Sequence, residues 1–106
     1  MNEIPDENFK DCSALRSIII PDHVTKIGNN AFANCYSLQT VFMADSVTSI
    51  GEAAFTSCSY LNNLTLSQNL TAIPPHMLEF CSRLPNIIIP SSVTSIGESA
   101  FRVCHI

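Results

Sequence analysis

Apolar residues recur along this chain with a period of 23 residues, from near its beginning to its end. Each unit opens with the pattern Leu-x-x-apolar-x-apolar, whose final two-residue alternation predicts a short strand with one buried face. Three more apolar positions follow in every unit. The apolar columns are Leu15, Leu38, Leu61 and Leu84; Ile18, Val41, Leu64 and Ile87; Ile20, Met43, Leu66 and Ile89; Val24, Val47, Leu70 and Val93; Ile27, Ile50, Ile73 and Ile96; and Phe32, Phe55, Leu78 and Phe101.

The period divides residues 1–106 into a single array without linkers. The predicted units are a partial repeat at 1–12, full repeats at 13–35, 36–58, 59–81 and 82–104, and an uncapped end at 105–106. A unit of this length cannot bury its apolar side chains alone, but stacking on identical neighbours aligns each column into a continuous core. The sequence therefore predicts one solenoid in which each repeat forms one coil.

The second half of the units that end at Cys35, Cys58 and Cys104 contains the motif Ala-Phe-x-x-Cys, whereas the third unit departs from it with Met77-Leu78 before Cys81. Its spacing places Ala, Phe and Cys at offsets that suit a single helical or 3₁₀ turn better than a strand. Gly28, Gly51 and Gly97 come just before this motif, where the chain must turn sharply, and we expect glycine there to accommodate unusual backbone angles. Pro5 and Pro74 take the same position in the other units, so the corner is expected to have more than one form.

Composition narrows the classes of protein that the chain can represent. Hydrophobic residues make up 46% and charged residues 13%, which excludes intrinsic disorder. The net charge is −4 and the five Lys and Arg residues are scattered, so nucleic acid is an unexpected partner. Apolar runs such as Ile18–Ile20 are too short for membrane insertion, and the acidic first residues lack the features of a secretory signal.

The five cysteines carry the period most clearly, because each lies 23 residues from the next. They are Cys12, Cys35, Cys58, Cys81 and Cys104. Sharing one phase of the coil, they are expected to point inward and pack as small apolar side chains. Disulfides between neighbouring coils are the alternative, although the odd number would leave one thiol free. Zinc ligands normally come in closely spaced pairs, which this spacing does not provide.

No catalytic constellation emerges from the sequence. The histidines His23, His76 and His105 occupy three different phases of the repeat, which argues against a shared metal site or catalytic cluster. The sequence also contains no nucleophile elbow, metalloprotease motif or phosphate-binding loop. The chain is therefore predicted not to be an enzyme and to need no cofactor or metal.

The residues that alternate with the buried strand positions form a candidate protein-binding face. By the two-residue alternation of a strand they should project into solvent. The first column is Ser17, Thr40, Asn63 and Asn86, the second is Ile19, Phe42, Thr65 and Ile88, and the third is Pro21, Ala44, Ser67 and Pro90. Three large apolar side chains on an uncharged face suggest a contact surface for a protein ligand. Strand propensity alone is the competing explanation for those residues.

The run Ile-Pro-x-x-Val-Thr-x-Ile-Gly-x-x-Ala-Phe-x-x-Cys, which ends at Cys35 and is nearly repeated up to Cys104, resembles the BspA-type leucine-rich repeat family. The resemblance covers essentially the whole chain. It implies an α/β repeat solenoid, a right-handed superhelix with a short parallel β-sheet on one face and turns, 3₁₀ or short extended segments on the other. It also implies a non-catalytic role in protein binding or adhesion, at the cell surface or after secretion.

A second hypothesis is a structural or self-assembling segment of a longer repeat protein. Repeat arrays normally finish with polar capping units, and none is visible in this sequence. An open end exposes core side chains and unpaired strand groups, so the sequence predicts self-association into a homo-oligomer through uncapped ends. The two hypotheses differ in whether the strand face or the ends matter.

Overall fold

The computed structural model describes residues 2–104, and these residues form only short strands and turns. The strands are β1 (Glu3–Ile4), β2 (Ser17–Ile20), β3 (Lys26–Ile27), β4 (Thr40–Met43), β5 (Ser49–Ile50), β6 (Asn63–Thr65), β7 (Ala72–Ile73) and β8 (Ser95–Ile96). Residues 2–104 contain no helix, so the α/β class predicted above is wrong and the fold is a solenoid of parallel strands. The end predicted at residues 105–106 lies outside the described residues.

Every strand pairs in parallel with the equivalent strand one repeat away. Ser17 is in register with Thr40, which is in register with Asn63, and Lys26 is in register with Ser49. All these partners are 23 residues apart, so one repeat is one coil of the solenoid. The predicted stacking of equivalent side chains is therefore confirmed.

The sheet β2–β4–β6 forms the first face of the solenoid. Exposed and buried residues alternate along β4, where Val41 and Met43 point into the core and Thr40 and Phe42 point outward. This alternation follows from the pleat of a strand with one buried face. The Leu-x-x-apolar-x-apolar pattern thus predicts these three strands correctly.

The fourth coil does not extend this sheet, and Pro85 explains why. In the second and third coils, Gln39 and Asn62 donate their backbone N–H groups to the carbonyls of Arg16 and Gln39, at 2.7 and 3.0 Å. Pro85 occupies the equivalent position in the fourth coil and has no N–H to donate to Asn62. Residues 85–90 consequently run beside β6 without forming a strand.

Pro74 interrupts the second face of the solenoid in the same way. There the strands form one sheet β1–β3–β5 and a separate pair β7–β8. Gly28, Gly51 and Gly97 each donate a backbone N–H to the Ile of the preceding coil, at 2.7 to 2.8 Å. Pro74 cannot make this bond to Ile50, so the second face divides between β5 and β7.

The Ala-Phe-x-x-Cys motif forms consecutive β-turns and not the predicted helical or 3₁₀ turn. In the second coil, Asn30 and Asn34 have φ values of 56° and 61°, and positive φ recurs at the same two phases of every coil. A 3₁₀ helix needs negative φ throughout, so these residues end each turn before a helix can form. Backbone donors then alternate, with Ala33 N–H bonding Asn30 within the coil and Phe32 N–H bonding Ala54 in the next coil.

The glycines serve close packing between coils, and the predicted reason for them is wrong. None of the three has a positive φ. A Cβ placed on Gly28 would instead lie 2.5 Å from the backbone nitrogen of Asp6 in the preceding coil, and one on Gly51 would clash likewise with the backbone of Asn29. The glycine column thus lets adjacent coils approach at this corner.

The core consists of the apolar columns predicted from the period, and it is most complete in the middle coils. Phe9, Phe32 and Phe55 stack with ring centroids 5.1 Å apart and nearly parallel planes. At the ends of the described stack the columns are less covered, and Ile96 is 55% exposed. Burial of each coil therefore depends on having a neighbour on both sides, as expected for a solenoid.

Candidate functional site

The first two columns of the predicted binding face do project into solvent. Ser17, Thr40 and Asn63 are exposed on one side of β2, β4 and β6, and Asn86 is exposed in the fourth coil. In the second column Ile19 is 73% exposed, Phe42 47% and Ile88 80%, with exposed Thr65 between them. We call these eight residues the strand face.

The third predicted column does not belong to this surface. Pro21 is exposed, but Ala44 is half-buried and both Ser67 and Pro90 are buried. The strands end at or before the residue that precedes this column, so the two-residue alternation no longer applies and the chain turns toward the core. Ser67 illustrates this, because its hydroxyl donates a 2.6 Å hydrogen bond to the carbonyl of Val47 inside the solenoid.

Adjacent residues of the apolar row are direct cross-strand neighbours. Ile19 is in register with Phe42, and Phe42 with Thr65. Parallel strands lie about 4.8 Å apart, so Ile19 and Phe42 form a continuous apolar surface on the sheet. The column that flanks this row consists of uncharged polar side chains that can form hydrogen bonds: Ser17, Thr40, Asn63 and Asn86.

A second group of exposed side chains lies just before the strands and was not predicted from the sequence. We call it the lead-in edge, and each coil contributes one member: Arg16, Tyr36, Tyr60 and Arg83. Tyr36 and Tyr60 are 52% and 45% exposed, and the Arg83 guanidinium lies 4.1 Å from the centre of the Tyr60 ring. Only Tyr60 and Arg83 occupy equivalent positions of the repeat, so the period of the sequence gives no signal for this group.

A polar cleft separates β6 from the fourth coil on this side of the solenoid. Its volume is about 200 Å³, and its lining includes Asn63, Thr65, Gln68, Asn86 and Ile88. The cleft lies where Pro85 prevents the next strand from pairing. The strand face is therefore continuous across three coils and divided before the fourth.

The cysteines form the predicted single interior row. All five are free thiols; Cys35, Cys58 and Cys81 are buried, and the two outer ones are half-buried. Each of the later four donates its thiol hydrogen to the carbonyl of the residue 26 positions earlier, as Cys58 does to Phe32 at 3.2 Å. The row thus combines apolar packing with a weak hydrogen bond between coils.

The environment of Cys58, Cys81 and Cys104 suppresses the reactivity of these three thiols. The neighbouring Cys35 thiol, together with burial, raises the pKa of the Cys58 thiol above its ordinary range. Burial raises the pKa of Cys81 to about 12, and it also raises the pKa of Cys104. Because the thiolate is the nucleophile and the metal ligand, buried thiols held in the protonated form are chemically inert.

The histidines are not gathered into one site in the described part of the chain. His23 is exposed, whereas His76 lies 2.9 Å from Glu79 through Nδ1. Glu79 also accepts a 3.2 Å hydrogen bond from Arg102, so this cluster links the third and fourth coils. His105 lies outside the described residues. Within 2–104 no group of three His, Cys, Asp or Glu side chains is arranged to hold a metal ion, and no helix is available to span a membrane.

Comparison with protein-family models gives a match over residues 1–106 to a family described as BspA type leucine rich repeat region, in six copies. A comparison with curated proteins finds no significant match. The family model therefore covers the whole chain.

Solved structures of bacterial leucine-rich repeat proteins resemble this solenoid. A leucine rich cell surface protein of Faecalibacterium prausnitzii is 38% identical over 83% of this chain and 23% of its own, with a TM-score of 0.81. The leucine rich repeat protein of T. pallidum is 30% identical over 98% of this chain and 49% of its own, with a TM-score of 0.94. A leucine-rich repeat protein of Eubacterium ventriosum is 26% identical over 96% of this chain and 34% of its own, with a TM-score of 0.68. The chain thus spans half or less of the lengths of these proteins.

Proposed function

The chain belongs to the BspA-type leucine-rich repeat family, and from this premise we propose that it is a non-catalytic module that binds a protein ligand through its strand face. The observation that carries the proposal is the exposed row containing Ile19 and Phe42 on a regular sheet. Large apolar side chains clustered on a protein surface are typical of contact sites for other proteins.

The flanking column supports the same function. Thr40 and Asn63 stand beside the apolar row and offer hydroxyl and amide groups without any charge to desolvate. An apolar centre with a polar, hydrogen-bonding rim is the usual composition of a protein interface. Strand propensity explains a β-branched residue at Ile19 but gives no reason for the polar amide side chains of Asn63 and Asn86 in the flanking column.

The similarity to the F. prausnitzii protein suggests a cellular location for the proposed binding activity. That protein is described as a cell surface protein. We therefore extend the proposal to an adhesion-type role, in which the module is displayed at the cell surface and contacts ligands outside the cell.

The test compares two pairs of substitutions that each add two carboxylates on adjacent coils. Ile19→Asp with Phe42→Asp alters the strand face, whereas Phe80→Asp with Val103→Asp alters exposed apolar residues at the turns. Each immobilised variant and the unaltered chain is incubated with surface proteins of candidate host cells, and bound proteins are quantified by mass spectrometry. A ligand should bind the unaltered chain and the turn variant but not the face variant. If every captured protein also binds the face variant, the proposal fails.

Self-assembly is the second candidate function, and cavities at the two ends of the described stack favour it. One of about 380 Å³ at the first coil is lined partly by Ile4, Phe9 and Ile18. One of about 280 Å³ at the last coil is lined by Ile87, Ile89, Phe101 and Cys104. Docking of one copy on another would continue the apolar columns across the contact.

Sedimentation of the 106-residue chain over a range of concentrations tests this second candidate. Association should increase with concentration and disappear when Ile87 and Ile89 are both replaced by Glu. It should persist in the variant with Asp at positions 19 and 42. A strict monomer at high concentration would exclude self-assembly of this chain.

A further inference from the structure

The charges of this chain are distributed unequally between the strand side and the rest of the solenoid. The strand side comprises the lead-in residues of each coil and the segment that follows them on the first face of the solenoid. These are residues 13–20, 36–43, 59–66 and 82–89. These four segments contain Arg16 and Arg83 and none of the nine Asp and Glu residues. A chain with a net charge of −4 therefore presents a cationic side.

The two arginines occupy the outer coils of the lead-in edge, and both are exposed. Arg16 belongs to the first full coil and Arg83 to the fourth, where it stands two residues earlier in the repeat. Three coil spacings of about 4.8 Å and two extended residues of about 3.3 Å place their backbones about 16 Å apart. Residues i and i+4 of an extended peptide lie on the same side and are separated by a similar distance, about 13 Å. One extended segment can therefore contact both arginines.

The side chains between and beside the arginines suit a protein ligand. Tyr36 and Tyr60 are roughly half exposed, and the Tyr60 ring supports the Arg83 guanidinium from one side. A guanidinium stacked on a ring keeps its N–H groups free for the two oxygens of a carboxylate. Tyr and Arg are also the residue types that most often dominate the energy of protein interfaces.

The opposite edge of the strand face carries the first carboxylates. Asp22 and Asp45 follow β2 and β4, and Asp45 accepts a 2.8 Å hydrogen bond from the backbone N–H of Gln68. An acidic ligand is repelled from this edge and attracted to the lead-in edge. The distribution of charge across the face thus favours one placement of the ligand.

We infer that the ligand of the strand face is an acidic, extended protein segment whose carboxylates pair with Arg16 and Arg83 while its apolar side chains cover Ile19 and Phe42. This inference rests on the proposed function and specifies the chemistry of its partner. The apolar row beside the arginines favours a peptide over a sulfated polysaccharide, because a polysaccharide has little to gain from covering isoleucine and phenylalanine.

Fluorescence anisotropy with defined probes tests the inference. The probes are labelled peptides of roughly ten residues with alternating Glu and Leu or alternating Lys and Leu, which suit extended binding. Dextran sulfate is the polysaccharide probe. The Glu peptide should bind more tightly than the Lys peptide, and added salt should weaken it. Tighter binding of the Lys peptide, or binding of dextran sulfate in preference to the Glu peptide, would overturn the inference.

Charge reversal locates the contact. Arg16→Glu with Arg83→Glu should lower the affinity for the Glu peptide about tenfold, since both charge-assisted contacts are lost. Lys10→Glu with Lys26→Glu makes the same change in net charge away from the strand side and should leave affinity within about twofold. Equal losses in the two variants would overturn the inference.

The strand-face variant separates this inference from the function on which it rests. If Ile19→Asp with Phe42→Asp abolishes binding while the arginine variant binds normally, the face binds protein but its ligand is not selected by charge. If the arginine variant alone loses binding, the apolar row is not the contact surface and the proposed function fails.

Discussion

The thiol of Cys58 donates a hydrogen bond to the carbonyl oxygen of Phe32, 3.2 Å away in the preceding coil. The same relationship joins Cys35 to Phe9 and Cys81 to Phe55. A cysteine side chain is small and apolar enough for the core, yet it provides a weak donor that alanine or valine lacks. This explains why the position is cysteine in every coil and not simply any small apolar residue.

Replacing Cys58 by alanine should therefore destabilise the solenoid by about 1 to 3 kcal/mol, through lost packing and the lost donor to Phe32. Urea unfolding measures the change. Cys12→Ala is the control, because Cys12 is half-buried and its thiol donates no hydrogen bond to any of residues 2–104. Similar losses for both variants would show that the bond to the preceding coil adds nothing.

Alkaline pH should destabilise the protein through its buried thiols. The pKa of Cys81 is about 12 in the fold against an ordinary value of 9.0, because burial disfavours the thiolate. Its contribution to stability is complete below pH 9 and is lost as the pH rises toward 12, since the unfolded chain releases the proton first. Urea midpoints measured across this range should fall less steeply for Cys81→Ser than for the unaltered chain. Parallel pH dependences would contradict the prediction.

Restoring a backbone donor at position 85 should extend the first sheet into the fourth coil. Pro85→Gln supplies the N–H that Gln39 and Asn62 donate in the earlier coils, and the cleft beside β6 should narrow. Hydrogen exchange should show a new protected amide at position 85. The gain in stability should be about 1 kcal/mol or less, because the unfolded chain also becomes more flexible without proline.

Pro21→Gln provides the control for that experiment. Pro21 is exposed and follows β2, which is the first strand of its sheet within residues 2–104, so the new N–H meets no strand of a preceding coil in this part of the chain. Rapid exchange is expected at position 21. Equally rapid exchange at position 85 would show that Pro85 is not what keeps the fourth coil out of the sheet.

Adding one methyl group at Gly51 should disturb the stack more than its size suggests. Gly51→Ala places a Cβ against the backbone of Asn29, which cannot move as a flexible side chain can. The expected loss is about 2 to 3 kcal/mol, within the range for overpacked sites. Glu52→Ala, at the exposed neighbouring residue, should change stability by less than about 0.5 kcal/mol in the same thermal unfolding measurement. If Gly51→Ala leaves the stability unchanged, the adjacent coils do not approach each other as closely as described at Gly51 and Asn29.

The period and the core could be predicted from the sequence because they depend on side chains that recur. The cysteine spacing fixed the length of a coil, and the alternation through Val41 and Met43 predicted the strand that contains them. The outward orientation of Ile19 and Phe42 followed from the same alternation. These features need only the pleat of a strand and the burial of apolar surface.

The turns were not readable, because their conformation comes from neighbouring coils and not from local residue preferences. Positive φ occurs at Ala53, Phe80 and Val103 as well as at Asn30, although only the asparagine favours it. Asn30, Ala53 and Phe80 are held by hydrogen bonds to the next coil, as in the bond from Phe80 N–H to Arg102. These hydrogen bonds cannot be predicted from the sequence of a single repeat, because their acceptors belong to the neighbouring coil.

Hydrogen bonds across a constant interval also determine how such a protein can change in length. Register partners such as Ser17 and Thr40 are always one coil apart. Duplicating or deleting an entire repeat leaves every remaining pair in phase, whereas inserting a single residue turns inward-facing side chains outward in the strand that receives it. Genes for this architecture can therefore gain or lose units by unequal recombination, provided that the exchange adds or removes a whole number of repeats.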